Sequence, residues 1–284
     1  MESYNYALYP FQSRWLSING NHIHYIDEGQ GEIILFFHPP IASSFMYRHM
    51  IKLLSPDHRC IAIDFPGFGL SSAIDGFQYS IQTFSVIAEK FIEKLNLKDF
   101  YFVIQEVGGH AALLAIIKHP ENLKGIILTD TIIFPVSQYP KLLKMLNIVN
   151  SSVFNFINSN FNLLIKISTK SGFGPRKLTK EERDTYFEMF DTKEKRKRTT
   201  MLLHELATQE TLLQKIQNAF ETTLNITPTL LVYGEKDSLT KLGVPQRIKE
   251  MLKNAELHII KGVEHFPHEG KPEDISTIIN NWIS

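Results

Sequence analysis

Apolar residues in this chain fall into short unbroken runs separated by longer stretches patterned at helical spacing. The clearest run, Ile33-Ile34-Leu35-Phe36-Phe37, follows Gly29 and Gly31 and predicts a central strand covered on both faces. Similar runs predict strands at 60–64, 100–104, 123–128, 230–233 and 256–260, and the segments 44–54, 81–95, 109–118, 245–253 and 273–282 predict helices. Ahead of them, 15–18 and 22–26 flank Asn19-Gly20-Asn21. Asn-Gly is the strongest short hairpin signal, because both residues tolerate positive φ. Repeated β-α-β units with short links predict an α/β fold with a doubly wound, mostly parallel, eight-stranded sheet and right-handed crossovers. Ligands then bind at the carboxyl ends of the strands.

The alternation stops between about 134 and 223, where the sequence turns helical and carries a polar break at 168–175 that reads as a loop. A helical cap, 134–223, is expected within a core made of 1–133 and 224–284. Leu142-Leu143-Lys144-Met145-Leu146, Val153-Phe154-Asn155-Phe156-Ile157 and Phe161-Asn162-Leu163-Leu164-Ile165 supply the cap's own core and part of a greasy pocket, the usual form of a small-molecule site. Asparagines interrupt each apolar face, which weighs against a membrane-surface role for this stretch. The run Lys193-Glu194-Lys195-Arg196-Lys197-Arg198 reads as a solvated helix face.

With 284 residues and 43% hydrophobic content, the chain can bury a large core as one unit with an insertion. Lys+Arg and Asp+Glu both number 30, so no net field gathers polyanions, and nucleic acid is excluded as a partner. The single cysteine, Cys60, lies in an apolar stretch, so it is expected as a buried small hydrophobe and no internal disulfide forms. Residues 1–5 lack a basic and an apolar signal region, and no apolar run has bilayer length. These features predict a cytoplasmic protein without stable membrane insertion.

Several motifs fall at the strand ends: Tyr25-Ile26-Asp27-Glu28-Gly29, His38 with Phe45-Met46-Tyr47-Arg48, and Asp64-Phe65-Pro66-Gly67-Phe68-Gly69-Leu70-Ser71. Then come Ile104-Gln105-Glu106-Val107-Gly108-Gly109, Tyr233-Gly234-Glu235-Lys236-Asp237 and Gly262-Val263-Glu264-His265-Phe266-Pro267-His268-Glu269. In this order they resemble the α/β-hydrolase fold, close to the haloalkane dehalogenase and epoxide hydrolase branch, over nearly the whole chain. The resemblance implies that Glu106 stands on the nucleophile elbow, where relatives carry serine, cysteine or aspartate. It implies that His265 is the catalytic histidine and Asp237 the acid that orients it, with Asp130, at the end of the strand after the elbow, as a second candidate acid. Gly108 and Gly109 suit a turn with no room for side chains, and the helix start favours an anion at Glu106.

The departures from the family carry the chemistry. Where relatives read His-Gly-x-Pro and use the N–H of x in an oxyanion hole, this chain has His38-Pro39-Pro40-Ile41, and Pro40 has no N–H. Losing one such donor costs roughly 10²–10³ in rate, which disfavours ordinary ester hydrolysis. Dehalogenases hold the halide with an Asn at this position and a Trp after the nucleophile; Pro40 and Val107 stand there instead, which argues against haloalkane dehalogenation. His38, Pro40, Gln105 and Val107 are the expected substrate- or oxyanion-side residues. The expected protein is a cofactor-independent and metal-free enzyme, monomer or homodimer, acting on a small-to-medium hydrophobic substrate through Glu106, His265 and Asp237. It works by hydrolysis or by acid–base lyase or cyclase chemistry; the rival is an inactive protein that binds a hydrophobic ligand in the same pocket. Contact between Glu106 and His265 separates the two.

Overall fold

In the computed structural model, which describes residues 4, 5 and 7–284, Asn19 and Gly20 both take positive φ (50° and 80°). They close a two-residue hairpin between β1 (Arg14–Ile18) and β2 (Asn21–Glu28), with Ile18 opposite Asn21. The expectation about a targeting signal rests on residues 1–5, of which 1–3 lie outside the described residues. Next come β3 (Glu32–Phe37), β4 (His58–Ile63), β5 (Phe100–Ile104), β6 (Leu123–Thr129), β7 (Thr229–Gly234) and β8 (Ala255–Ile260). They form one sheet in the order β1-β2-β4-β3-β5-β6-β7-β8. From β4 onward across the sheet every pair is parallel, and β2 meets β4 antiparallel. The expected eight-stranded, mostly parallel architecture is what forms. Its apolar runs are covered on both sides: Ile34, Leu35, Phe36 and Phe37 are all buried, as is every residue of β7. Fully burying each such side chain is worth about 1.5–3 kcal/mol. Cys60 sits inside β4, buried and unpaired, and burial pushes its thiol above the ordinary range.

The helices are α1 (Arg48–Leu54), α2 (Ile81–Lys94), α3 (Glu106–Ile116), α4 (Pro140–Val149), α5 (Ser152–Phe161), α6 (Leu163–Ser171), α7 (Lys180–Met189), α8 (Lys193–Thr208) and α9 (Glu210–Glu221), followed by α10 (Ser238–Lys241), α11 (Val244–Met251), α12 (Pro267–Gly270) and α13 (Pro272–Ile283). Six of them, α4 to α9, lie between β6 and β7, and the last of these packs back on α3. Two expectations need correction. The helix predicted to begin at 109 starts at Glu106, because the elbow turns straight into it. The polar break predicted from 168 is still helix as far as Ser171; Thr169 and Ser171 turn their hydroxyls back onto the carbonyls of Ile165 and Ile167, four residues before, and so are satisfied without leaving the helix.

The basic run on α8 is also more than a solvated face. Arg196 donates to the carbonyls of Phe190, Ser159 and Asp191, and Arg198 donates to the Gly67 carbonyl at 2.9 Å while lying over the Tyr79 ring. Next to it, the Thr199 hydroxyl donates to the Pro40 carbonyl at 2.9 Å. The Arg196 bonds are internal to the cap segment, and those of Arg198 and Thr199 tie it to the loops at the carboxyl ends of β4 and β3. Among the described residues no helix is long and apolar enough to cross a membrane.

Candidate active site

Glu106 adopts φ +48°, a left-handed conformation that non-glycine residues visit rarely. The turn is held by its surroundings. The Glu106 N–H donates to the Thr131 hydroxyl at 2.6 Å. A methyl group at Gly108 would sit 1.8 Å from the His38 carbonyl oxygen, and one at Gly109 would sit 2.7 Å from the Ile104 side chain. The strand–helix corner closes only with glycine at both positions. Its effect is to lift the Glu106 carboxylate off the sheet toward the loop that carries His265.

His265 lies between two carboxylates. Its Nε2 meets Glu106 Oε1 at 2.6 Å and its Nδ1 meets Asp237 Oδ2 at 2.7 Å, so each acid accepts from one ring nitrogen of an imidazolium. Burial opposes a charge on the ring, but Asp237 and then Glu106 outweigh it and raise its pKa well above the ordinary histidine value. Asp237 is buried, which works against its ionisation; the imidazolium and the N–H of Leu239, at 2.7 Å, prevail and lower its pKa. Gln105 donates from Nε2 to the His265 carbonyl at 2.7 Å, so the residue beside the elbow fixes the histidine loop rather than facing a ligand.

Asp130 is fully buried, with φ +37°. It accepts from the Gly234 N–H at 3.0 Å through Oδ1, while Oδ2 has no partner. Burial, reinforced by the charge of Asp237, raises its pKa well above the ordinary carboxylate value. His38 is likewise internal. Phe65 N–H donates to its Nε2 at 3.0 Å, its Nδ1 donates to the Pro39 carbonyl at 2.8 Å, and burial lowers its pKa.

A cavity of about 500 Å³ opens above the triad. Its floor holds Glu106, His110, Asp130, Thr131, Asp237 and His265, and its walls are mostly cap residues: Leu142, Met145, Leu146, Val149, Phe154, Leu164, Ile167, Leu203 and Leu206. Of the residues expected at the site, Glu106, His265, Asp237 and Asp130 come together here. His38, Pro40, Gln105 and Val107 are not among those lining the cavity; Ile41 is the member of the His38 segment that reaches it. Two of the floor residues were not anticipated. His110 lies one helical turn after Glu106, an i, i+4 spacing legible in the sequence; its Nε2 donates to the Ile132 carbonyl at 2.5 Å and burial lowers its pKa. Thr131 carried no local signal, because its role arises only when β6 docks beside β5.

The profile of the α/β hydrolase fold matches residues 32–272. The chain belongs to that family. Its relatives fall in the haloalkane dehalogenase-like branch. It is 27% identical to haloalkane dehalogenase 2 of Mycobacterium tuberculosis, over 96% of this chain and 95% of that protein. It is 25% identical to cis-3-alkyl-4-alkyloxetan-2-one decarboxylase of Shewanella oneidensis, over 98% and 90%. Among solved structures, haloalkane dehalogenase DbeA of Bradyrhizobium elkanii superposes with a TM-score of 0.85 at 22% identity, over 96% of this chain and 97% of that one; this likeness shows the fold. Against that family background the cavity floor offers carboxylates, two histidines and hydroxyls. Among the described residues the one group of three with metal-ligand spacing, Glu89, Glu93 and His119, is outside the cavity lining, and Glu89 is held by Lys118.

Proposed function

We propose that this protein is a cofactor-independent enzyme that acts on a small-to-medium hydrophobic molecule by acid–base chemistry, with Glu106 and His265 moving the proton and Asp237 orienting the ring. One observation carries the reading: the 2.6 Å contact between Glu106 and His265 at the floor of an apolar cavity. A carboxylate already bonded to the imidazolium is placed to exchange a proton with it, and a third group holds the ring, which is the arrangement general acid–base catalysis needs. The longer glutamate places its carboxylate about 1.5 Å farther out than an aspartate would, a displacement that upsets in-line attack but not proton transfer. With Pro40 in place of an N–H donor, an acyl oxyanion has less support.

The Shewanella relative, a decarboxylase of a dialkyl oxetanone, suggests the first substrate class to try: a strained four-membered lactone with two alkyl arms, which the greasy walls would receive. Its decarboxylation breaks the ring C–O and C–C bonds and yields carbon dioxide and an alkene. His265 would donate toward the departing ring oxygen and recover the proton when carbon dioxide leaves. A second reading, a glutamyl ester formed through Glu106, is favoured by its Oε2, which is buried without a partner.

The experiment is turnover of dialkyl oxetanones, with alkyl epoxides and esters in parallel, by the wild type, Glu106→Gln and His265→Ala. Loss of about 10²-fold or more in kcat with both variants is expected, and an unchanged rate in either overturns the reading. Peptide mass analysis of a single turnover in ¹⁸O-labelled water, quenched and completed, separates the routes: substrate mass on the Glu106 peptide, or ¹⁸O left there, means the ester. Binding of the lactone without turnover by the wild type would mean a binding protein.

A further inference from the structure

Twelve large hydrophobic side chains are exposed among the described residues, and seven of them are on α4, α5, α6 and α8: Met145, Ile148, Val153, Phe156, Phe161, Ile167 and Met201. Val153 and Phe156 are 71% and 68% exposed, on successive turns of one face of α5. The charge in the same segment is one-sided. From 134 to 171 the chain has Lys141, Lys144, Lys166 and Lys170 and no Asp or Glu, although the whole molecule is balanced at 30 and 30. All four lysines are exposed, and none is in an ion pair among the described residues. Lys193 and Lys197 of α8 flank the shallow groove that contains Phe156 and Met201. At the Phe161 end two acids, Glu188 and Asp191, come near, and Asp191 is taken by Lys195 at 2.9 Å. Met145 and Ile167 are both exposed outside and part of the cavity wall, so the apolar face runs unbroken into the site.

We infer that, contrary to the expectation drawn from the interrupting asparagines, of which Asn158 and Asn162 turn inward and are buried, the outer face of α4 to α6 docks reversibly on a lipid surface that carries anionic headgroups. Bulky apolar side chains ringed by lysines match the interfacial layer of such a surface, with the apolar tips entering the acyl boundary and the ammonium groups at the phosphates. A second copy of the chain fits poorly, because a two-fold pairing of this face would set lysines against lysines with only Glu188, at its Phe161 end, to answer them. The docked orientation turns the cavity wall at Met145 and Ile167 toward the acyl layer, which provides a dry route for a greasy ligand. The inference goes beyond the proposed catalysis and needs no turnover for its test, so either can fail without the other.

The test is flotation of the full chain with vesicles of phosphatidylcholine alone or with about a third phosphatidylglycerol, beside Phe156→Asp, Val153→Asp and the pair Lys141→Glu/Lys144→Glu. None of these residues lines the cavity, and unchanged thermal melting verifies that each variant folds. Expected are binding to the anionic vesicles only, its loss between about 0.05 M and about 0.5 M salt, and a weakening of at least about tenfold in each variant, on the order of fivefold per lysine charge. Equal binding to neutral vesicles, no binding, or binding untouched by all three variants overturns the inference. So does a lipid-free dimer that Phe156→Asp converts to monomer, which would make this face an interface between copies.

Discussion

At Glu106, one side chain is set by three neighbours: a hydroxyl that takes its N–H, two glycines that let the corner close, and an imidazolium that takes its carboxylate. The pH behaviour follows from the same ring. Burial resists the charge on His265, the two acids overrule it, and the proton is retained above the ordinary value of about 6.5. A rate that needs this proton therefore declines only on an alkaline limb above that value. Asp237→Asn removes the strongest support of the charge and should move that limb toward acid pH in a kcat/KM profile; an unmoved limb would mean that another group titrates. In stability, the raised value contributes fully below about pH 6.5 and is lost as pH climbs through the folded pKa. Asp130 behaves oppositely to an ion-paired acid: burial, reinforced by the charge of Asp237, holds its pKa well above the ordinary carboxylate value, so folding becomes costlier as pH rises above about 3.9. Asp130→Asn should therefore raise the melting temperature, with a gain that is near zero at about pH 4 and grows toward neutrality. A loss of stability at neutral pH would show Asp130 to be ionised. Glu106, His265 and Asp237 could be singled out from their motifs in chain order. The raised pKa of Asp130 could not, since it depends on Asp237 and the end of β7 packing over it.

At the scale of elements, the strand–elbow–helix unit of β5 and α3 tolerates almost nothing at Gly108. A Cβ there meets the His38 carbonyl at 1.8 Å, backbone against side chain, so β3 or α3 must shift. Gly108→Ala should cost about 3 kcal/mol by overpacking. Gly76, with φ +73° and open space around it, offers the control: Gly76→Ala carries backbone strain alone, about 1 kcal/mol. Urea midpoints of the two variants measure the contrast, and equal losses would mean that the corner relaxes around the added methyl at Gly108. The strands were legible because five-residue apolar runs such as 33–37 have few other uses. The start of α3 was not, because a left-handed glutamate opening a helix has no composition signal. The end of α6 was missed for a related reason: the Thr169 and Ser171 hydroxyls are satisfied within the helix by carbonyls four residues back, which composition does not show.

In the molecule as a whole, cap and core meet through a buried charge cluster that no motif announced. Arg48 of α1 donates to Glu182 of α7 at 2.6 Å and to Glu269 of α12, the short helix just after His265. Arg176 reaches Glu269 at 3.0 Å and also bonds Glu182, and the Tyr186 hydroxyl donates to Glu269 at 2.6 Å. Both acids are buried. Desolvation works against ionised Glu182, but its bonds to His49 and Arg48 prevail and lower its pKa. Its contribution is thus present above the unfolded value of about 4.3 and is lost as pH falls through the folded one. Removing one partner from such a cluster leaves an uncompensated buried charge, which costs about 3–5 kcal/mol, whereas replacing the whole set by apolar residues of like volume is often neutral. Arg48→Met should therefore destabilise by about that amount, and Arg48→Met/Glu182→Met/Glu269→Met should recover much of the loss. The loss should also vary little between low and high salt, because buried pairs are poorly screened. Because Glu269 stands four residues after His265, the single variant should also lower kcat on any substrate found, through a displaced histidine loop. A variant destabilised as expected but with unchanged kcat would show that the cluster secures the cap without positioning the ring. A stability loss under about 1 kcal/mol would show that Arg176 alone neutralises both acids.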